Sequence, residues 1–218
     1  MFDFELVWPS VPYIFKGIGV TLQIVAGATV LGLILGILLS LCKIGKITPL
    51  RWIANFYTSI FRGTPLVLQL MIIYFAFPQM TGIIIDPMPA AILAFGLNSA
   101  AYISEIIRAG INAVDKGQME AAKALGIPYG KMMKDIILPQ AMKNILPSLM
   151  NEFITLNKES AIVTVVGALD IMRRAYIVGG DTYRYLEPLL VAGAIYYVMT
   201  LVLTFLGAML EKRMRRSD

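Results

Sequence analysis

The sequence predicts an all-α fold, a polytopic membrane protein whose helices cross the bilayer several times. Of its 218 residues, 58% are hydrophobic and only 15% are charged. A soluble domain is about 45–50% apolar and about 25% charged. Five stretches also approach the roughly 20 apolar residues that a spanning helix needs. Finally, the basic residues concentrate in alternate connections between those stretches.

The five predicted spans differ in character. The first and the fifth are apolar and uncharged, and the first holds Gly32 and Gly36 at a spacing that permits close helix contact. The third contains Asn98 and Glu105, and the fourth is polar for a membrane helix. The spans lie at about 17–41, 62–77, 87–107, 145–166 and 188–210.

An apolar helical pattern at 52–61 precedes the second span. It predicts a helix that enters the bilayer from the cytoplasmic interface. This interpretation puts Arg62 near the inner headgroups, where its charged end can snorkel to water.

The distribution of charge predicts the topology. The connection at 43–51 carries three basic residues and no acid, the connection at 112–144 carries five lysines, and the tail is basic. Because basic residues mark the cytoplasmic side, we expect the amino terminus outside and the carboxyl terminus inside. Residues 1–218 then form one transmembrane domain, with a spanning core at about 17–210 and a cytoplasmic loop at 112–144. The net charge of +5 is thus a topology signal and not a nucleic-acid patch.

The amino-terminal residues predict a retained first span. Asp3 and Glu5 occur there without a basic residue in the first twelve positions, which is the reverse of a cleavable signal peptide.

The residue types exclude several chemistries. The chain has no histidine and a single cysteine, Cys42. An imidazole base, a thiolate metal cluster and an intrachain disulfide are therefore excluded. No metal site and no enzymatic activity are predicted for this chain.

A spaced motif occupies the connection at 112–144. Glu120-Ala121-Ala122 is followed after three residues by Gly126, and after nine more by Ile136, one spacer and Leu138-Pro139. The alanines favour a short helix with a small surface, and Glu120 suits the positive end of that helix. Gly126 and Pro128 allow a sharp bend. The motif predicts two short helices joined by a bend.

This spacing resembles the EAA motif of the membrane subunits of ABC importers. The resemblance implies the type I importer transmembrane fold and a coupling helix that docks into a separate ATPase. The chain has no GxxxxGK[ST] phosphate loop, so ATP and magnesium are assigned to that ATPase and no cofactor to this chain. The other implied partners are a second permease subunit, identical or related, and an extracytoplasmic amino-acid-binding protein. The residues implied in coupling are Glu120, Ala121, Ala122, Gly126, Leu138 and Pro139.

Further short motifs resemble the permeases for polar amino acids, the histidine/glutamine/glutamate/arginine/opine group. Their order and spacing extend the resemblance over about residues 16–212. The motifs are Val20-Thr21-Leu22, Phe61-Arg62-Gly63-Thr64-Pro65, Ala101-Tyr102, Leu146-Pro147, Asn151-Glu152 and Lys158-Glu159-Ser160.

The polar fourth span predicts a translocation path. Charges at the centre of a membrane helix cost roughly 2.5–3.5 kcal/mol each, so they face protein, water or a ligand. Glu152, Thr155 and Glu159 fall on one helical stripe, and Asn151 and Lys158 on the next. A carboxylate at Glu152 favours a cationic substrate such as arginine, lysine or histidine.

On the third span, Asn98 and Tyr102 lie one turn apart and are candidates for binding the α-amino or α-carboxylate group. Several alternatives stay open. Lys158 and Glu159 either bind substrate or form a structural ion pair. Glu105 and Arg108 favour a structural pair, to which Arg62 is a further candidate. Glutamine or glutamate as the substrate also stays open.

Two other functional classes compete with the importer subunit. A stand-alone secondary transporter or channel would need no ATPase, but five spans without a second half argue against an inverted-repeat transporter. An intramembrane enzyme would need catalytic groups that this composition does not supply.

Overall fold

The computed structural model describes residues 4–215, and their regular structure is helical. Two 3₁₀ segments, at Trp8–Ser10 and Ser160–Val166, and two π segments, at Ile72–Ala76 and Met133–Ile137, interrupt the α-helices. The α-helices are α1 Phe4–Val7, α2 Val11–Phe15, α3 Gly17–Ile44, α4 Thr48–Gly63, α5 Leu66–Met71, α6 Phe77–Thr81, α7 Pro87–Asn112, α8 Lys116–Ala124, α9 Tyr129–Met132, α10 Leu138–Glu159, α11 Ile171–Thr182 and α12 Leu186–Arg215. Arg216, part of the basic tail, lies outside the described residues.

Three helical stretches among residues 4–215 are long and apolar enough to cross a membrane: Phe4–Ile44, Pro87–Asn112 and Leu186–Arg213. A fourth crossing is available if Thr48–Gly63 and Leu66–Thr81, bent by 103° at their junction, form one broken span. The predicted span at 145–166 falls on the polar end of α10 and the following 3₁₀ segment. The all-α membrane fold is confirmed, while the count of five spans stays a prediction.

The predicted position of Arg62 near the inner headgroups stays a prediction, but the structure shows what the Arg62 side chain contacts. Arg62 lies just before the break between α4 and α5, and its guanidinium stacks over the Tyr102 ring at 5.4 Å from the centroid. Tyr102 is well inside α7, more than two turns from its end at Asn112. The sequence pattern predicted a helix that continues through Arg62 and did not reveal the 103° bend that follows it.

The helices α3 and α7 form the main seam of the fold. Gly32 packs against Ser99, and a Cβ placed on Gly36 would come within 2.7 Å of the Ile103 side chain. The small residues let the two backbones approach closely, as the GxxxG spacing indicates. Around this seam, the apolar core includes Ile24, Ala94 and Phe95, all fully buried.

The connection at 112–144 folds as the motif predicts, with one correction. Helix α8 ends in a left-handed turn at Gly126 (φ 68°), and Ile127 N–H donates to the Ala122 carbonyl at 3.0 Å. This is a Schellman ending, which needs glycine at the left-handed position. The residue at the positive end of α8 is Asp115, whose carboxylate accepts from Gly117 N–H at 2.7 Å. Glu120 lies in the middle of α8, so its predicted position at the helix start was wrong.

Candidate functional site

Glu152 lies against an apolar cavity between α3, α7, α10 and α12. One carboxylate oxygen accepts a hydrogen bond from the fully buried Ser99 hydroxyl at 3.0 Å. The cavity has a volume of about 410 Å³, and Thr29, Ser99 and Glu152 supply its polar side chains. The remaining walls are aliphatic or aromatic. A carboxylate in such a setting favours a cationic partner, since an unpaired buried charge is costly.

The other predicted site residues of α10 lie before and after Glu152 on the same helix and differ in exposure. Asn151 and Lys158 are exposed, while Thr155 and Glu159 are partly buried. No contact between Lys158 and Glu159 within salt-bridge distance is present among residues 4–215, and the alternatives of an ion pair and a substrate role for these two residues stay open. Their roles, and those of Asn151 and Thr155 in binding, stay predictions.

Asn98 holds the break between α4 and α5. Its amide nitrogen donates to the Phe61 carbonyl at 2.9 Å and to Gln69 Oε1 at 3.0 Å. Gln69 Nε2 in turn donates to the Phe61 and Thr64 carbonyls, at 2.9 and 3.1 Å. These bonds satisfy carbonyls that the broken helix exposes. The predicted contact of Asn98 with substrate is untested, but its amide group already has a structural partner.

Tyr102 faces a second, polar cavity of about 530 Å³. Beside this cavity, Glu105 forms salt bridges to the buried Lys43 and, at 2.6 Å, to Arg108. Lys43 Nζ also donates to Thr58 Oγ1 at 2.8 Å. The cluster ties α3, α4 and α7 together. The predicted Glu105–Arg108 pair is thus present, and Lys43 extends it.

Between the 3₁₀ segment and α11, Asp170 forms a third polar cluster. Its carboxylate caps α11 by accepting from Arg173 N–H at 2.8 Å, and it accepts from Tyr196 Oη at 3.0 Å. Burial raises the pKa of the Asp170 carboxyl, and these hydrogen bonds oppose the rise. The cluster joins α11 to α12.

The predicted coupling residues divide into an exposed and a buried set. Ala122 is buried and packs with Met132 and Ile137 against the ends of α7 and α10. The exposed set is Glu120, Ala121, Gly126, Leu138 and Pro139.

Sequence reasoning missed two apolar side chains on this surface, Leu125 and Tyr129, which are 78% and 60% exposed. The sequence could have indicated them, because each is an apolar residue directly next to the predicted Gly126–Pro128 bend. Ser99 and Gln69 were also missed. Gln69 could have been noticed as a polar residue in an apolar stretch, whereas Ser99 gave no signal of its own beside Asn98.

Comparison with known proteins agrees with this geometry. Residues 28–216 match the family described as the binding-protein-dependent transport system inner membrane component. The chain is 62% identical to the arginine transport system permease protein of Bacillus subtilis (strain 168), over 99% of each protein. It is 53% identical to a putative glutamine transport system permease protein of Rickettsia conorii, over 98% of this chain and 99% of the relative.

A solved structure is also similar. The crystal structure of an amino acid ABC transporter with histidines superposes with a TM-score of 0.94 at 44% identity, over 98% of this chain and 99% of that one. The chain therefore belongs to the family of inner membrane components of binding-protein-dependent transport systems. The resemblance to the membrane subunits of ABC importers is confirmed.

Proposed function

We propose that this chain is the permease subunit of an ATP-driven importer of amino acids and that basic amino acids are its preferred substrates. Family membership supports the transport role, and the names of the arginine and glutamine relatives support amino acids as the substrate class. The chain works with a second permease copy or a related subunit, with ATPase subunits, and with an extracytoplasmic binding protein. Its amino terminus lies outside and its carboxyl terminus in the cytoplasm.

The single observation that carries the substrate preference is Glu152 in its apolar cavity. A volume of about 410 Å³ lies within the range of small-molecule sites. An aliphatic stem with a cationic end suits apolar walls and one carboxylate. At 4 Å and an effective dielectric constant of 20, two unit charges interact by about 4 kcal/mol, attractive for a cation and repulsive for an anion. Glu152 therefore favours arginine or lysine over glutamate.

The bent connection is the coupling surface in this proposal. Leu125 and Tyr129 expose apolar area on the two sides of the Gly126 bend, next to the exposed Glu120 and Ala121. Exposed aromatic and aliphatic anchors of this kind often dominate binding at protein interfaces. ATP-driven closure of the ATPases would move this surface and open the path outward, and hydrolysis would reset it.

The test is the ATPase activity of the reconstituted complex, with its binding protein, across a panel of amino acids. Arginine and lysine should stimulate most in the wild type. Glu152→Gln should lower the apparent affinity for arginine at least tenfold, because glutamine has the shape of glutamate but lacks the negative charge. Glu5→Gln, which changes an exposed carboxylate on α1 that does not line the cavity, is the matched control. Equal stimulation by arginine in Glu152→Gln and wild type would refute the assignment of Glu152.

A further inference from the structure

The polar cavity beside Tyr102 is separate from the apolar cavity of Glu152. It lies between the α4–α5 break, the second half of α7 and the start of α10, with a volume of about 530 Å³. The two cavities share no lining residue. Its polar lining side chains are Arg62, Tyr102, Glu105, Asn144 and Ser148.

Within the described residues 4–215, Arg62 lines this cavity and has no ion-pair partner. Glu105 is already engaged by both Lys43 and Arg108. Arg62 is exposed, and within residues 4–215 it has the face of Tyr102 as its neighbour and no carboxylate as an ion-pair partner. In the part of the chain that the structure describes, Lys43, Arg62 and Arg108 are thus three cations near the single carboxylate of Glu105. The local field favours an anion, and a planar guanidinium is well shaped to bind a carboxylate with two hydrogen bonds.

The cavity also lies at one end of the polar stripe on α10. Asn144 and Ser148, one turn apart, are both exposed and line it. Further along the same helix lie Asn151, three residues after Ser148, and then Thr155, which belongs to the stripe that carries Glu152. Under the proposed topology, the cavity is at the cytoplasmic end of the path that Glu152 begins.

We propose that this cavity is an exit subsite in which Arg62 binds the α-carboxylate of the transported amino acid. The inference rests on the proposed function, and it assigns the two charged ends of the substrate to two different places. Glu152 selects the cationic side chain, and Arg62 receives the carboxylate on the way to the cytoplasm. Tyr102 supports the guanidinium by stacking, and Asn144 and Ser148 supply uncharged hydrogen-bonding groups for the ammonium end.

The experiment compares arginine with agmatine, which is the same molecule without its carboxylate. Equilibrium binding of each is measured on the detergent-purified permease–ATPase complex without nucleotide or binding protein. Arg62→Gln should weaken arginine binding by about tenfold, as expected for the loss of a charged hydrogen-bonded pair, and change agmatine binding by less than about twofold. Glu152→Gln should weaken both ligands. Arg51→Gln, an exposed arginine on the same helix α4 and outside the cavity lining, should change neither.

Other outcomes overturn the inference. Equal effects of Arg62→Gln on arginine and agmatine, or no effect on either, would remove the carboxylate role. If phosphatidylglycerol binds at Arg62 and arginine binding does not change in Arg62→Gln, the anion that Arg62 binds is a lipid phosphate. The exit subsite is then refuted. If Arg62→Gln does not assemble, Arg62→Lys decides: a fall of at least threefold in the preference for arginine over agmatine supports the proposal, and an unchanged preference overturns it. Failure of wild-type complex to bind or transport either ligand would instead refute the proposed function.

Discussion

Removing the side-chain clamp at the α4–α5 break should destabilise the protein without any substrate present. Asn98→Leu deletes the two hydrogen bonds from Asn98 Nδ2, at 2.9 and 3.0 Å. The Phe61 carbonyl keeps its bond from Gln69 Nε2, but Gln69 Oε1 loses the donor from Asn98 in a buried position. An unsatisfied buried group costs about 1–3 kcal/mol, while a membrane hydrogen bond averages about 0.6 kcal/mol. We therefore expect a loss of about 1–3 kcal/mol.

The assay is reversible unfolding of the purified permease in mixed micelles at increasing SDS, followed by tryptophan fluorescence. A loss of 1.4 kcal/mol lowers the folding equilibrium constant about tenfold. Ser104→Ala is the matched control, because Ser104 is buried on the same helix and donates only to the Ala101 carbonyl of its own helix. Stability of Asn98→Leu equal to that of Ser104→Ala, together with weaker arginine binding, would show that Asn98 contacts substrate and does not hold the break.

Two more substitutions test the packing by the same unfolding assay. Gly36→Ala should lower the free energy of unfolding by about 1–3 kcal/mol, because its Cβ would come within 2.7 Å of the Ile103 side chain. Gly19→Ala is the control, since its Cβ would meet nothing within 4 Å. Equal stabilities of the two variants would contradict the close contact between α3 and α7. Asp170→Asn keeps a cap for α11 and removes a buried charge. Since burial raises the folded-state pKa of Asp170, ionisation opposes folding, and the wild type loses stability as pH rises through that pKa. The stability of Asp170→Asn relative to wild type should then increase from about pH 4, near the ordinary pKa of aspartate, to pH 7; a difference that is constant with pH would refute this.

The local parts of the fold were predictable from the sequence. The bend at Gly126 follows from a glycine with a left-handed φ and the proline two positions on, which act over a few residues. Glu152 could be assigned to a polar stripe because helical periodicity and the cost of charge in lipid need no tertiary information. The family resemblance rested on the same kind of local spacing.

The long-range parts could not be predicted in this way. Asn98 meets the Phe61 carbonyl across 37 positions, and Lys43 meets Glu105 across 62. Lys43 was interpreted as a cytoplasmic topology marker, yet it is buried in an ion-pair cluster. Both contacts depend on where α4 breaks and how it crosses α7, and a hydropathy pattern does not contain that geometry.

The most direct test of the whole account is uptake of radiolabelled arginine into proteoliposomes that contain this permease and the binding protein, with and without the ATPase subunit. The account predicts ATP-dependent accumulation only when the ATPase is present. Accumulation at the same rate without the ATPase would contradict it and would favour a stand-alone transporter or channel.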